Sequence, residues 1–301
     1  MKKFTVLILI LAFVLSGCTG RGTLEETDVN ASATVEDKRT NTPTSPLTGR
    51  KILSPATFTV NDPENKRGLS TQKKEHSYGV AKNSEPHEIS KTAQNYFEST
   101  KYNAICYDRN SAEKVIYLTF DCGWENGYTE KVLDTLKEKN VPAAFFCTLE
   151  HIKKSPELIA RMIKEGHIVG NHSAKHPDFS EISRQRMADE ILECDNWLRE
   201  NFGYTSKFFR FPEGSYTENA LELIHSMGYV SVFWSSAYAD WDVNKTRGKE
   251  YAFETVTSRL HPGAILLLHS VSPDNAAALG DIIDWARNNG YQFKSLTEIK
   301  I

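Results

Sequence analysis

The 301-residue chain has no basic surplus: 36 Lys and Arg face 39 Asp and Glu, a formal net charge of −3. Nucleic-acid binding wants a basic surface, so that class of function is excluded and no nucleic-acid partner is expected. Cysteine is scarce. The five present, Cys18, Cys106, Cys122, Cys147 and Cys194, have spacings that match no common zinc-finger framework. The four after Cys18 permit disulfides in an exported protein, and the sequence does not say which would pair. Aromatic residues are few between Thr19 and about Lys74, and no apolar period is sustained there. A stretch so rich in Thr, Ser, Asn, Asp, Glu and Pro builds no core. It reads as a disordered tether with a reach of roughly 40 Å.

What is present begins with an address. Lys2 and Lys3 precede an apolar run from Phe4 to Leu15, the pattern of a secretory signal. Leu15-Ser16-Gly17-Cys18 fits a bacterial lipobox, in which Cys18 becomes the lipidated first residue. The expected organisation is therefore a lipoprotein signal peptide over 1–17, a tether over 18–74 and a folded domain over 75–301. The domain would sit outside the cell membrane, held to it by the lipid on Cys18. A monomer is expected.

Val115 to Phe120 is a nearly continuous apolar and β-branched run that stops at Asp121. Such a run reads as a strand buried on both faces, the pattern of a parallel sheet. An alternation of strand and helix follows. Helices are expected near Thr129–Lys139, Pro156–Glu165, Arg184–Asn201, Asn219–Met227, Lys249–Arg259 and Ala276–Asn289. Strands are expected at Ala143–Cys147, His167–Asn171, Lys207–Phe211, Tyr229–Trp234, Ala264–Leu268 and Gln292–Lys294. Before this, Thr92–Lys101 reads as a short helix and His76–Thr92 as irregular. Repeated βα units argue an α/β fold with a parallel sheet, open or closed into a barrel.

In such folds the carboxyl ends of the strands carry the chemistry. Asp121 follows the first strand, and His172 and His176 the third. Arg210 lies within the fourth, Asp240 and Trp241 follow the fifth, and His269 the sixth. Any one of these alone is more simply a helix cap or a surface residue. Two carboxylates, three histidines and an arginine on one rim are hard to explain by packing. The gap between His172 and His176 lets two imidazoles meet one metal, and Pro177 puts the pair on a turn rather than a helix.

These residues resemble the polysaccharide deacetylases of carbohydrate esterase family four, the NodB-homology domain, over about Lys114 to Ile299. The motifs are Thr119-Phe120-Asp121-Cys122-Gly123, His172-Ser173-Ala174-Lys175-His176, Arg210-Phe211-Pro212-Glu213-Gly214, Asp240-Trp241 and Leu267-Leu268-His269. The resemblance implies a distorted (β/α) barrel that removes acetyl groups from N-acetylated sugars with a divalent metal. Gly123-Trp124-Glu125-Asn126-Gly127-Tyr128 is similar to the δ-lactam branch of the family. That branch acts on N-acetylmuramic acid in peptidoglycan of the spore cortex. Cys122 departs from the family, which mostly has a metal-ligand Asp there. Glu213 reverses the charge that the branch often carries.

The resemblance implies Asp121 as general base and Arg210 as its electrostatic partner. His269 would be the acid, oriented by Asp240. His172 and His176 would hold the metal, with zinc as the expected ion; Cys122, read from its own position beside the base, is a third ligand, one half of a disulfide with Cys147, or a neutral spacer. Trp241 and Leu267 would wall the acetyl methyl, and backbone N–H groups near Gly214 would serve the oxyanion. Peptidoglycan strands would be the partner. The competing readings are deacetylation of N-acetylglucosamine in peptidoglycan or chitin, and an inactive murein-binding lipoprotein.

Overall fold

A computed structural model describes residues 43–111 and 113–300. The signal sequence, the lipobox with Cys18 and the first part of the expected tether lie outside these residues. In chain order the described elements are β1 (Lys74–Glu75), α1 (Glu88–Thr100), β2 (Ala104–Ile105), β3 (Val115–Cys122), α2 (Thr129–Lys139), β4 (Ala143–Cys147), α3 (Leu149–Lys154), α4 (Pro156–Lys164) and β5 (Ile168–Asn171). They continue with α5 (Arg184–Phe202), β6 (Phe208–Phe209), β7 (Ser215–Tyr216), α6 (Glu218–Ser226), β8 (Val230–Val232), α7 (Lys249–Thr257), β9 (Ala264–His269), α8 (Pro273–Asn288) and β10 (Gln292–Phe293).

All eight residues of β3 are buried. That is why its sequence is apolar without alternation: both faces need covering. β3 lies between β4 and β9, and the parallel sheet runs β10-β3-β4-β5-β6-β8-β2 with β9 on the other side of β3. The ring closes through the segment after β8, where Ser236 bridges Leu266 of β9. The result is the distorted (β/α) barrel, its strands parallel and its carboxyl ends on one rim.

The pleat sorts the core in two. Ile116, Leu118, Phe120 and Cys122 join Phe145, Cys147, Leu266 and Leu268 in one cluster, packed by α2, α4 and α8. Val115 and Tyr117 join Phe146, Ile265 and Leu267 in the other. The period of two thus sends Asp121 and Cys122 to opposite faces of β3.

The tether expected over 18–74 needs correction from residue 43 onward. Thr48 Oγ1 donates to the Phe202 carbonyl at 2.7 Å, and Leu53 N–H to the Arg199 carbonyl at 2.9 Å. Ala56 exchanges two hydrogen bonds with the Asn196 side chain, at 2.7 and 3.1 Å. Arg184 and Arg67 both pair with Glu222, and Asn219 N–H donates to the Ser70 carbonyl at 3.1 Å. This strap is held along α5 and α6 by hydrogen bonds and ion pairs, with Leu47, Phe58 and Val60 as scattered apolar anchors that keep no period, so composition does not reveal it. It ends in β1, which pairs antiparallel with β7. The stretch taken as irregular before Thr92 also holds a helix start, since His87 accepts from Ile89 N–H and opens α1 at Glu88.

Candidate active site

Asp121 sits at the end of β3, directly beside His269 of β9 in the parallel register. Its Oδ1 accepts from Arg210 Nη1 at 2.7 Å, and its Oδ2 lies 3.7 Å from His172 Nε2. Arg210 has no exposed surface. Its other nitrogens donate to the Val232 and Phe233 carbonyls at 2.9 and 3.2 Å, and its guanidinium lies 4.1 Å from the Phe146 ring centre. Five donors in a rigid plane suit that job, which a lysine could not fill. Burial pushes the Asp121 carboxyl upward, but Arg210, His172 and His269 outweigh it and hold the group below its ordinary range.

His269 is built differently. Its Nδ1–H donates to Asp240 Oδ1 at 2.7 Å, and its backbone N–H to Asp240 Oδ2 at 2.8 Å. Asn275 also donates to Oδ2, and Tyr238 donates to Asn275. Burial lowers the His269 pKa, yet Asp240 and Asp121 together raise it above the usual histidine value. Acid and base are thus neighbours on adjacent strands, each with its own buried counter-charge.

His172 and His176 lie on the turn after β5, their ring centres 4.9 Å apart. Ser173 and His176 take left-handed φ values of 68° and 56°, and Asn171 Oδ1 accepts from Ser173 N–H at 2.9 Å. His172 Nδ1–H donates to the Arg210 carbonyl at 2.8 Å. That bond fixes the tautomer and leaves Nε2 as a bare lone pair facing the cavity, the arrangement metal-binding histidines adopt. Burial lowers the His172 pKa to about 4, so the ring is neutral and able to ligate. His172 Nε2 with the free Asp121 oxygen 3.7 Å away, and His176 on the same turn, are donors of the kind a divalent metal takes.

Cys122 is not part of this set. It faces the helices, shares the register position of Cys147, and its Sγ contacts Ser270 Oγ at 3.3 Å. The expectation of a thiolate beside His172 and His176 is therefore corrected by the pleat. Of the backbone N–H groups expected near Gly214 at the oxyanion, the one ruled out is that of Gly214 itself, which donates to the Phe211 carbonyl at 3.1 Å. Its role is clearance: at φ +71°, a Cβ there would stand 2.8 Å from the Trp234 ring.

Asp121, His172, His176 and His269 line one cavity of about 660 Å³, walled by Leu267, Trp234 and Trp241. Arg210 and Asp240 stand behind it. Trp241 is 55% exposed and Trp124 47%, so neither serves the core. Sequence reasoning missed His76, Ser77 and Tyr78, which reach the cavity from the strap's end, along with Thr148, Glu150 and Tyr238. Asn275, which donates to Asp240 from the first turn of α8, was missed as well.

A base and an acid side by side, each held by a buried partner on the rim of a parallel barrel, are the equipment of a hydrolase. Residues 108–232 match the family model for polysaccharide deacetylase. The chain belongs to that family of hydrolytic, metal-dependent deacetylases. It is 46% identical over 200 residues to an uncharacterised 30.6 kDa protein of Geobacillus stearothermophilus, covering 66% of this chain and 75% of that one. It is 44% identical over 221 residues to peptidoglycan-N-acetylmuramic acid deacetylase PdaA of Bacillus subtilis, covering 72% and 82%. The solved structure of Bacillus subtilis PdaA, a family 4 carbohydrate esterase, superposes with a TM-score of 0.73 at 40% identity, covering 77% of this chain and 98% of that one.

Proposed function

We propose that the protein hydrolyses the acetamide of N-acetylmuramic acid in peptidoglycan, releasing acetate and leaving a free amine. The observation that carries the reading is the adjacent pair of Asp121 with Arg210 and His269 with Asp240 on one cavity. The sugar rests on the likeness to the Bacillus subtilis deacetylase named for it.

Arg210 occupies one oxygen of Asp121, so the other is the one able to take a proton from water. His269 carries its proton on the nitrogen facing the cavity and gives it to the departing amine. Asp240 fixes the ring and favours its charged form. Leu267 and Trp241 offer an apolar wall to the acetyl methyl. His172 and His176 would hold the metal, which polarises the carbonyl and acidifies the attacking water when bound. We read that metal as zinc, which imidazole donors suit. On this reading the chain works outside the membrane, tethered through Cys18, on cortex-type peptidoglycan.

N-acetylmuramic acid differs from N-acetylglucosamine by a lactyl carboxylate. Lys175 lines the cavity and makes no ion pair among the described residues, which makes it the cation suited to that group. The protein should release acetate from purified muropeptides and leave the free amine on muramic acid. Lys175→Ala should raise KM for substrates with a free lactyl carboxylate, with kcat little changed. A free amine appearing on glucosamine instead would move the chain to the other substrate class.

A further inference from the structure

Behind the sheet, on the side away from the cavity, a second cluster of ligand atoms is assembled. Cys122 and Cys147 are direct partners across β3 and β4. α3 begins just after Cys147, capped by Thr148, and brings His151 onto the two sulfurs. One ligand atom from each residue lies within 4.8 Å of the other two, and no other group of three His, Cys, Asp or Glu among the described residues does this. Both cysteines are free and fully buried, and His151 is 1% exposed.

The cluster is poorly served as plain core. Neither ring nitrogen of His151 has a hydrogen-bond partner. A buried imidazole with both nitrogens unpaired is costly, and native interiors avoid it. The sulfurs are surrounded differently. Thr129 Oγ1 donates to Ser270 Oγ at 2.9 Å, and Ser270 Oγ lies 3.3 Å from Cys122 Sγ. The serine hydroxyl is free to donate to the sulfur once Cys122 is a thiolate. Cys147 Sγ lies 3.6 Å from the carbonyl of Phe145 and within hydrogen-bond reach of the Cys122 sulfur.

We propose that Cys122, Cys147 and His151 form a buried structural site for a borderline-soft divalent cation, zinc by class, separate from the cavity. Two thiolates and one imidazole fill three of the four positions of a tetrahedral zinc site. Sulfur donors select against magnesium, calcium and manganese. Both thiols release their protons to solvent as the metal–sulfur bonds form, and the two thiolates then balance the cation's charge. The site is sealed, so the ion enters as the chain folds, and its binding energy becomes folding energy. The cation ties the ends of β3 and β4 to α3 in the layer behind Asp121. Its role is to stiffen the strand end that carries the base, without touching substrate.

The test uses the full chain with His172→Ala and His176→Ala, so that the cavity's imidazoles no longer bind metal. Purified under reducing conditions, this protein should still carry about one zinc per chain. Exchange with cobalt should give a thiolate-to-cobalt charge-transfer band, and adding Cys122→Ser should abolish it. His151→Phe fills the same space with an apolar ring, so it should melt cooperatively yet lose the zinc. Chelation should lower the melting temperature of the His172→Ala/His176→Ala protein and leave unmoved that of the same protein carrying His151→Phe as well. Absence of the cobalt band in the double-histidine variant would overturn the site. So would a Cys122–Cys147 disulfide in the protein isolated without added oxidant, or zinc retained when His151→Phe is added to the His172→Ala/His176→Ala protein.

Discussion

Arg210 is the residue on which the cavity turns, though it does not line it. Its charge holds the Asp121 pKa below the ordinary carboxylate value of 3.8, while Asp240 keeps His269 protonated above the ordinary histidine value of 6.5. Activity needs Asp121 deprotonated and His269 protonated, so it should rise through the lowered pKa and fall through the raised one, giving a broad plateau. Asp121→Asn and His269→Ala should each reduce turnover by about a hundredfold or more. Asp240→Asn is more telling. Burial then acts on His269 with one fewer carboxylate opposing it, so the alkaline limb of the pH–rate profile should move to lower pH. An unmoved limb would remove His269 from the acid's role.

At the scale of elements, the strap over residues 43–73 makes the sharpest prediction. A protein beginning at Gln72 loses the bonds to Asn196, Arg199 and Phe202 and the ion pair of Arg67 with Glu222. At about 1 kcal/mol for each net hydrogen bond, the loss is on the order of a few kcal/mol, read as a lower denaturant midpoint. A midpoint equal to that of a protein beginning at residue 43 would mean these bonds contribute nothing net. Gly214→Ala should be costly in another way. It forces a Cβ against Trp234 and His76 at a left-handed φ, and should both destabilise the fold and narrow the cavity. The same scale shows what was legible in the sequence. α2 and β4 match their expected bounds because Val132, Leu133 and Leu136 keep a helical period and Ala143–Cys147 is buried throughout. α3 was missed, being only six residues long and followed at once by Ser155-Pro156. The two-residue strands β1, β2 and β7 carry no period to detect. The rim residues were legible because charges at the ends of apolar runs stand out. The facing of Cys122 was misread because the strand was taken to end at Phe120, whereas it runs two residues further and obeys the pleat.

For the whole molecule, the buried histidines set its response to acid. His76 donates to the Trp234 carbonyl at 2.6 Å and is held at a pKa of about 4, chiefly by burial. Burial also lowers His167 and His261. Each has a folded pKa below its unfolded one, so the unfolded chain takes up protons first as pH drops. Stability from these groups is complete above about pH 6.5 and is lost progressively toward pH 4. The melting temperature should therefore fall across that window, and His76→Phe should flatten the slope. A flat curve in the parent protein would contradict this. The strap has a consequence in time as well. Ser45 bonds to Asn201, 156 positions later in the chain. A protein threaded out of a pore from its amino end exposes this segment first and gives it nothing to hold until α5 has followed. The earliest part of the domain to emerge is thus the last able to dock, and until α5 follows it stays open to proteases and chaperones. In the finished molecule the order reverses, and amide exchange should begin there before it reaches the barrel.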